Sequence, residues 1–284
     1  MRLLAIHAHP DDESSKGAAT TAMYAAQGHD VTVITCTGGE RGDILNPAMD
    51  KPGIKEKINE VRREEMAQAA AALGINHHWL GYEDSGLPGE GEPLPEGCFA
   101  TQPAEEVADV LIRHIRQLRP HVIITYDENG GYPHPDHLQV HAASMIAWDK
   151  AGSDYKPELG QPWAPQKLYY SHGFVFQRMQ LLHDELLATG KMSPYESIMQ
   201  RWDPEKNDIM SRVTTQVHAA DYFGQREAAL RAHATQIDPA GAFLASSVEA
   251  QQRLWPTEEF ELAQSRVEST LPETDLFAGI TEEN

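Results

Sequence analysis

Apolar and polar positions along the first 175 residues follow two periods in turn. Residues 3–7, 31–35 (VTVIT, β-branched) and 122–126 (VIITY) are short apolar runs, which predicts strands. Segments with helical period lie between them. Residues 14–27 stop at Gly28, and residues 55–73 (KEKINEVRREEMAQAAAAL) stop at Gly74, as helices that end on glycine do. Residues 104–118 place Val107, Val110, Leu111 and Ile115 on one face and meet Pro120. Residues 136–150 read as a further helix, and short strands are expected at 78–80 and 167–172. Strands alternating with helices imply βαβ units. The expected fold is α/β, a Rossmann-like, mostly parallel sheet flanked by helices, over residues 1–175.

The pattern loosens after that. Residues 175–189 and 219–236 read as helices, so 176–284 is expected to be a smaller, mainly helical region. It would pack on the first part and complete the active-site cleft. The stretch from 257 to 284 carries eight acids against one base, Arg266, and reads as a solvated tail wrapping the body. The Gly-, Pro- and Glu-rich loop near 83–103 is a candidate lid or rim.

Composition narrows the function classes. The chain has 284 residues, 40% hydrophobic and 23% charged, which fits a folded globular protein. Its net charge of −20 argues against nucleic acid or an anionic membrane surface as partner. Two cysteines, Cys36 and Cys98, are too few for a secreted disulfide scaffold. No stretch has the ~18 apolar residues of a membrane span, and the first apolar run is too short for a secretion signal. The expectation is a cytoplasmic protein, with a local pocket for a small ligand and homo-oligomerisation left open.

Two clusters carry the chemistry. His7-Ala8-His9-Pro10-Asp11-Asp12-Glu13 follows the first strand, and Tyr132-Pro133-His134-Pro135-Asp136-His137 follows the VIITY strand. In an open parallel sheet the C-terminal strand ends form the ligand crevice, so the two loops are expected to meet there. A catalytic zinc takes three protein ligands and leaves one position open. His9, Asp12 and His137 supply such a set. Asp11 stays free to take a proton from water. His134 and Tyr132 are placed to donate to an oxyanion on a carbonyl, with Asp136 holding the His134 tautomer. The inventory suits metal-assisted hydrolysis of an amide. A single His-Pro or Asp-Asp pair would be a turn, with Asp12 or Ser14 as a helix cap; two clusters at strand ends outweigh that. The donors also accept Fe2+ or another divalent metal. The first turn lacks the G-x-G-x-x-G of a dinucleotide binder, which disfavours a nucleotide-binding module.

HPDDE followed by a distant HPDH resembles the zinc-dependent N-deacetylases that include the LmbE-like proteins and the N-acetylglucosaminyl-phosphatidylinositol deacetylases. The resemblance implies His9, Asp12 and His137 as ligands, Asp11 as general base and His134 in catalysis. The segments TGGERGDILNPAMD, DSGLP, TYDENGGYPHPDH, RAHATQID and RLWPTEEFELA are similar to the mycothiol-processing branch of that family, over most of the chain. This implies hydrolysis of the cysteinyl–glucosamine amide of mycothiol S-conjugates. Products would be glucosaminyl-inositol and an N-acetylcysteine S-conjugate for detoxification. The alternative within the branch is deacetylation of N-acetylglucosaminyl-inositol. Lys16 in SSKGA favours the first, because the branch's deacetylases carry an uncharged residue there. By the same resemblance Tyr132 polarises the amide, while Arg62 and Asp84 join Lys16 in contacting substrate. Without it, Arg62 is a helix charge, Asp84 a loop cap and Lys16 a solvated side chain. Arg41 contacts substrate or caps a turn. His233 and Gln236 reach the site or pack a helix.

Overall fold

The computed structural model describes residues 1–89, 91–203 and 208–281. Its strands are β1 (Arg2–His7), β2 (Asp30–Thr37), β3 (Asn76–Tyr82), β4 (Val122–Thr125), β5 (Lys167–His172), β6 (Thr215–His218) and β7 (Thr257–Ser265). Its helices are α1 (Asp12–Ser15), α2 (Ala18–Ala26), α3 (Ile58–Leu73), α4 (Ala104–Leu118), α5 (Pro135–Ala151), α6 (Phe176–Ala188), α7 (Glu196–Met199), α8 (Phe223–Ala232) and α9 (Val248–Leu254). Among the described residues the strands form one seven-stranded sheet in the order β3-β2-β1-β4-β5-β7-β6. The first five in that order pair in parallel, and β7 pairs antiparallel with both β5 and β6. The α/β architecture therefore matches the expectation.

The central strands are apolar because both faces of the sheet are covered. Leu4, Ile6 and Ile123 pack with Leu111, Ile115, Val140 and Trp148 of α4 and α5. Leu3, Ala5, Val31, Val33 and Ile124 face the opposite side, with Tyr24 of α2, Phe223 of α8 and Phe260 of β7. Among the described residues no helix is long and apolar enough to cross a membrane.

Three segments depart from the pattern read along the chain. The helix expected over 14–27 breaks, because Lys16 is extended and Gly17 takes a left-handed φ of 77°. A Cβ at Gly17 would stand 3.2 Å from the Phe260 ring, so this close approach requires glycine. The first N–H groups of α2, at Ala19 and Thr20, are capped from across the sheet by the Glu258 carboxylate, at 3.2 and 2.8 Å.

Over its described part, residues 257–281, the acidic stretch is no solvated tail, and residues 282–284 lie outside the described residues. Its first nine residues are β7, inserted between β5 and β6. Phe260 and Leu262 sit in alternate positions of that strand, a signal that the count of acids obscured. Glu258, Glu259 and Glu273 are buried and each has a partner. Glu273 takes the ammonium of the buried Lys167 and the Tyr169 hydroxyl. The helix expected over 219–236 stops at Ala232, and the next residue, His233, turns into the protein.

The order β2-β1-β4 reverses the direction of winding at β1. The crevice at such a reversal is where parallel α/β sheets take ligands. Both histidine-bearing loops leave the sheet there.

Candidate active site

Three donor atoms converge at the ends of β1 and β4. His137 Nε2 lies 3.3 Å from His9 Nδ1 and 3.4 Å from Asp12 Oδ2, and His9 Nδ1 is 3.5 Å from that oxygen. Ligands about 2.1 Å from a tetrahedral ion stand about 3.4 Å apart, so the three fit a zinc-sized divalent cation. The far side of each ring is fixed as well. His137 Nδ1 donates to the Gly130 carbonyl at 2.8 Å, and His9 Nε2 donates to Asp136 Oδ2 at 3.1 Å. Both rings therefore turn a lone pair toward the shared point.

Asp12 is held by its own set of donors. Its Oδ2 accepts from the Tyr126 hydroxyl at 2.7 Å and the His9 N–H at 3.0 Å, and its Oδ1 accepts from Lys16 Nζ. Burial opposes charge on Asp12, but Lys16 and His137 outweigh it and hold the carboxyl well below the usual range. Burial likewise opposes charge on His9, yet Asp12, Asp136 and Asp84 raise that imidazole well above its ordinary value. The cluster attracts positive charge, and a proton and a metal ion would compete for it.

Asp11 stands beside this group with a left-handed φ of 119°. Its N–H is held by Glu13 Oε2 at 3.0 Å. Burial, and then the charge of Asp12, push its carboxyl up to about 6.

His134 caps α5, and its Nδ1 accepts the main-chain N–H of Asp136 at 3.1 Å. Burial and the neighbouring His9 and His137 lower this imidazole to about 4. The neutral ring therefore carries its proton on Nε2, as a donor. The Asp136 carboxylate was expected to hold this tautomer. It lies elsewhere, accepting from the Ser85 N–H at 3.0 Å, the Ser85 hydroxyl and His9. Asp136 fixes His134 through its backbone and His9 through its side chain, because the first turn of α5 points the carboxylate back at β1.

A cleft opens over these groups. It is lined by His9, Asp11, Arg62, Asp84, Tyr132 and His134, with Leu45, Leu87 and Gln236 among the rest of its wall. Tyr132 is 40% exposed and sets its ring edge-on to His137 at 4.7 Å between centroids. Arg62 is buried, and its Nε and Nη2 have no hydrogen-bond partner among the described residues. A Cβ at Gly39 (φ 64°) would come within 2.1 Å of Arg62 Nη1, so GGERG leaves room for a guanidinium. Asp84 also lines the cleft. Burial opposes its charge, but His9 and the N–H groups of Gly86 and Arg41 hold its carboxyl well below the usual range.

Lys16 does not join them. The chain breaks at this residue, and its ammonium is buried against Asp12, over the Tyr126 ring. Burying that charge without an anion would cost several kcal/mol, and Asp12 is the carboxylate within its reach.

Sequence reasoning missed Tyr126 and Ser85, and it named Glu13 in the first cluster without giving it a role. The apolar pattern shows Tyr126 only as the end of a strand, although an aromatic hydroxyl at the C-terminal end of β4 was the available signal. Glu13 pairs with the buried His233 at 2.7 Å, which places the AHATQ segment behind Asp11. Its Gln236 reaches the cleft wall.

Comparisons with known proteins show which family the chain belongs to. The profile of the PIG-L family, described as GlcNAc-PI de-N-acetylase, matches residues 4–148. The chain is 53% identical to the mycothiol S-conjugate amidase of Streptomyces coelicolor, over 99% of this chain and 97% of that protein. It is 38% identical to the 1D-myo-inositol 2-acetamido-2-deoxy-alpha-D-glucopyranoside deacetylase of Streptomyces scabiei, over 98% and 90%. The crystal structure of a conserved protein from Thermus thermophilus shares the fold, with a TM-score of 0.61, 22% identity and 94% and 96% coverage. Deacetylases of this family are metal-dependent, and its mycothiol-related members act on small molecules. The chain is a hydrolase that belongs to the PIG-L family of GlcNAc-PI de-N-acetylases.

Proposed function

We propose that this chain hydrolyses the cysteinyl–glucosamine amide of mycothiol S-conjugates in the cytoplasm, with zinc held by His9, Asp12 and His137. A divalent ion there supplies Lewis-acid polarisation of the amide carbonyl and acidifies water. Asp11, whose carboxylate is not needed as a ligand, takes the proton of the attacking water and passes it to the departing amine. The His134 Nε2–H and the Tyr132 hydroxyl donate to the oxyanion. Arg62 and Asp84 hold hydroxyls of the sugar–inositol part. Lys16 has no role in substrate contact in this reading; it sets the charge of Asp12.

The observation that carries the choice of substrate is the 53% identity to an amidase over nearly the whole chain. Leu45 and Leu87, 59% and 66% exposed on the wall of the same cleft, suit an apolar adduct on sulfur. The second reading is deacetylation of N-acetylglucosaminyl-inositol, favoured by the relatives at 36–38% identity. The metal cluster serves both.

Amine release from the bimane conjugate of mycothiol and from N-acetylglucosaminyl-inositol, measured side by side, separates them. We expect kcat/KM for the conjugate to exceed that for the acetyl sugar at least about tenfold, with both rates lost on chelation and restored by zinc. The reverse ranking would assign the protein to biosynthesis of the thiol.

Arg62 gives a further prediction. Arg62→Met is expected to raise KM for the conjugate about 30- to 100-fold with little change in kcat, as loss of a charged hydrogen bond made equally in ground and transition states does. An unchanged KM would remove Arg62 from the substrate site.

A further inference from the structure

Arg212, from the second half of the chain, is tied to the loop that carries the site. It follows a short 3-10 turn, Ile209–Ser211. Its guanidinium engages three carboxylates: Nη1 to Asp127 Oδ2 at 3.0 Å, Nη2 to Glu128 Oε2 at 2.9 Å, and Nε to Glu261 Oε2 at 2.9 Å. Asp127 differs from the other two in being buried, at 2% exposure. It stands just past the C-terminal end of β4, and among the described residues Arg212 is the cation paired with it.

The second oxygen of Asp127 builds the next turn of the chain. Oδ1 accepts the N–H groups of Asn129 at 3.2 Å and Gly131 at 2.8 Å, while the Asp127 carbonyl accepts the Gly130 N–H at 2.9 Å. This turn presents the Gly130 carbonyl to His137 Nδ1. The fit is close, because a Cβ on Gly130 (φ 69°) would come within 2.8 Å of both His137 Cβ and the Tyr132 carbonyl. Among the described residues no other side chain bonds the main-chain amides of Asn129, Gly130 or Gly131.

We propose that Arg212 is a positioning residue for the metal centre. By fixing the Asp127 carboxylate it sets the 127–131 turn, and the Gly130 carbonyl of that turn keeps the proton of His137 on Nδ1 and its lone pair on Nε2. The inference rests on the reading of His137 as a metal ligand. A carbonyl or carboxylate behind a ligating histidine commonly accounts for 10- to 100-fold in metal affinity. Here that support is anchored by a residue some 75 positions later in the chain than the ligand.

The test uses the full chain with Arg212→Met, Arg212→Lys, Asp127→Asn and, as a control, Glu128→Gln. Zinc affinity is read by competition with a chromogenic chelator, the His137 tautomer by nitrogen-15 NMR, and stability by the thermal midpoint of the metal-free protein. Arg212→Met is expected to weaken zinc about 10- to 100-fold and to mix the His137 tautomers. Arg212→Lys should recover part of the affinity. Asp127→Asn added to Arg212→Met should cost little more, since both act through one turn. Glu128→Gln should leave affinity within about twofold, because Glu128 is exposed and its carboxylate does not bond the Asn129, Gly130 or Gly131 main-chain amides that set the carbonyl.

Affinity within about twofold of wild type in Arg212→Met, or an equal loss in Glu128→Gln, would overturn the proposal. If Arg212→Met does not fold, Arg212→Lys and Asp127→Asn answer by the same readouts. His137→Ala separates the two levels: unchanged zinc affinity there would show that the ligand reading itself is wrong, and the proposal would fall with it.

Discussion

Asp11→Asn is expected to keep its metal and lose about a thousandfold in kcat, within the span usual for removing a general base. Asn is the right replacement for three reasons. It keeps the shape of the side chain. It tolerates the left-handed backbone that Asp11 adopts, at φ 119°, better than most residues. Its backbone N–H remains for Glu13. What it lacks is a basic oxygen. The converging donors belong to His9, Asp12 and His137, so metal content measured by mass spectrometry should match the wild type. Loss of stoichiometric metal, or activity within about tenfold of wild type, would contradict the assignment of Asp11 as base. The pH profile supplies an independent check. A base must be ionised to act, so activity is lost as pH falls through the Asp11 pKa. Burial and Asp12 put that carboxyl at about 6 with no metal ion beside it, and a bound metal ion lowers it. The acid limb of the rate profile should therefore lie at or below about pH 6 in the wild type. It should be absent in the residual activity of Asp11→Asn.

The location of the site was legible because it depends on local pattern. Strands buried on both faces read as continuous apolar runs, and the polar clusters that interrupt them at His7–Glu13 and Tyr132–His137 mark their C-terminal ends. The winding reversal at β1 then brings the two together. The wiring behind the ligands was not legible. Whether Asp136 serves His134 or His9 depends on where Ser85 and β1 lie relative to α5. No periodicity encodes that. Lys16 shows the same limit. Its charge type was informative about the family branch, but the break at Gly17 decides where the ammonium goes, and that break answers to Phe260 on a strand far along the chain. β7 was missed for a related reason: its glutamates find partners on α2, α6 and β5, so a tally of charge treats as solvated what tertiary contacts bury.

Asp12→Ala should show the largest combined loss, because one carboxylate does two jobs. As a ligand it is one of three donors, and removing it is expected to weaken zinc by more than about a thousandfold, since an outer partner alone accounts for 10- to 100-fold. As an anion it answers the buried Lys16 ammonium and accepts from the Tyr126 hydroxyl and the His9 N–H. Removing one member of a buried pair strands the other, at about 3–5 kcal/mol. In a chain of this size that corresponds to a fall of order 10 °C in the thermal midpoint of the metal-free protein. The two effects come apart in the double variant Asp12→Ala/Lys16→Met. With no ammonium left to strand, calorimetry should return much of the lost midpoint. Zinc binding should stay lost, because methionine restores no carboxylate. If the double variant regained zinc, Asp12 would be acting only as the counter-ion of Lys16 and the ligand set would have to be redrawn. If Asp12→Ala alone kept the wild-type midpoint, the pair would contribute nothing to the fold, and Lys16 would be free to be tested as the substrate contact that the family branch first suggested.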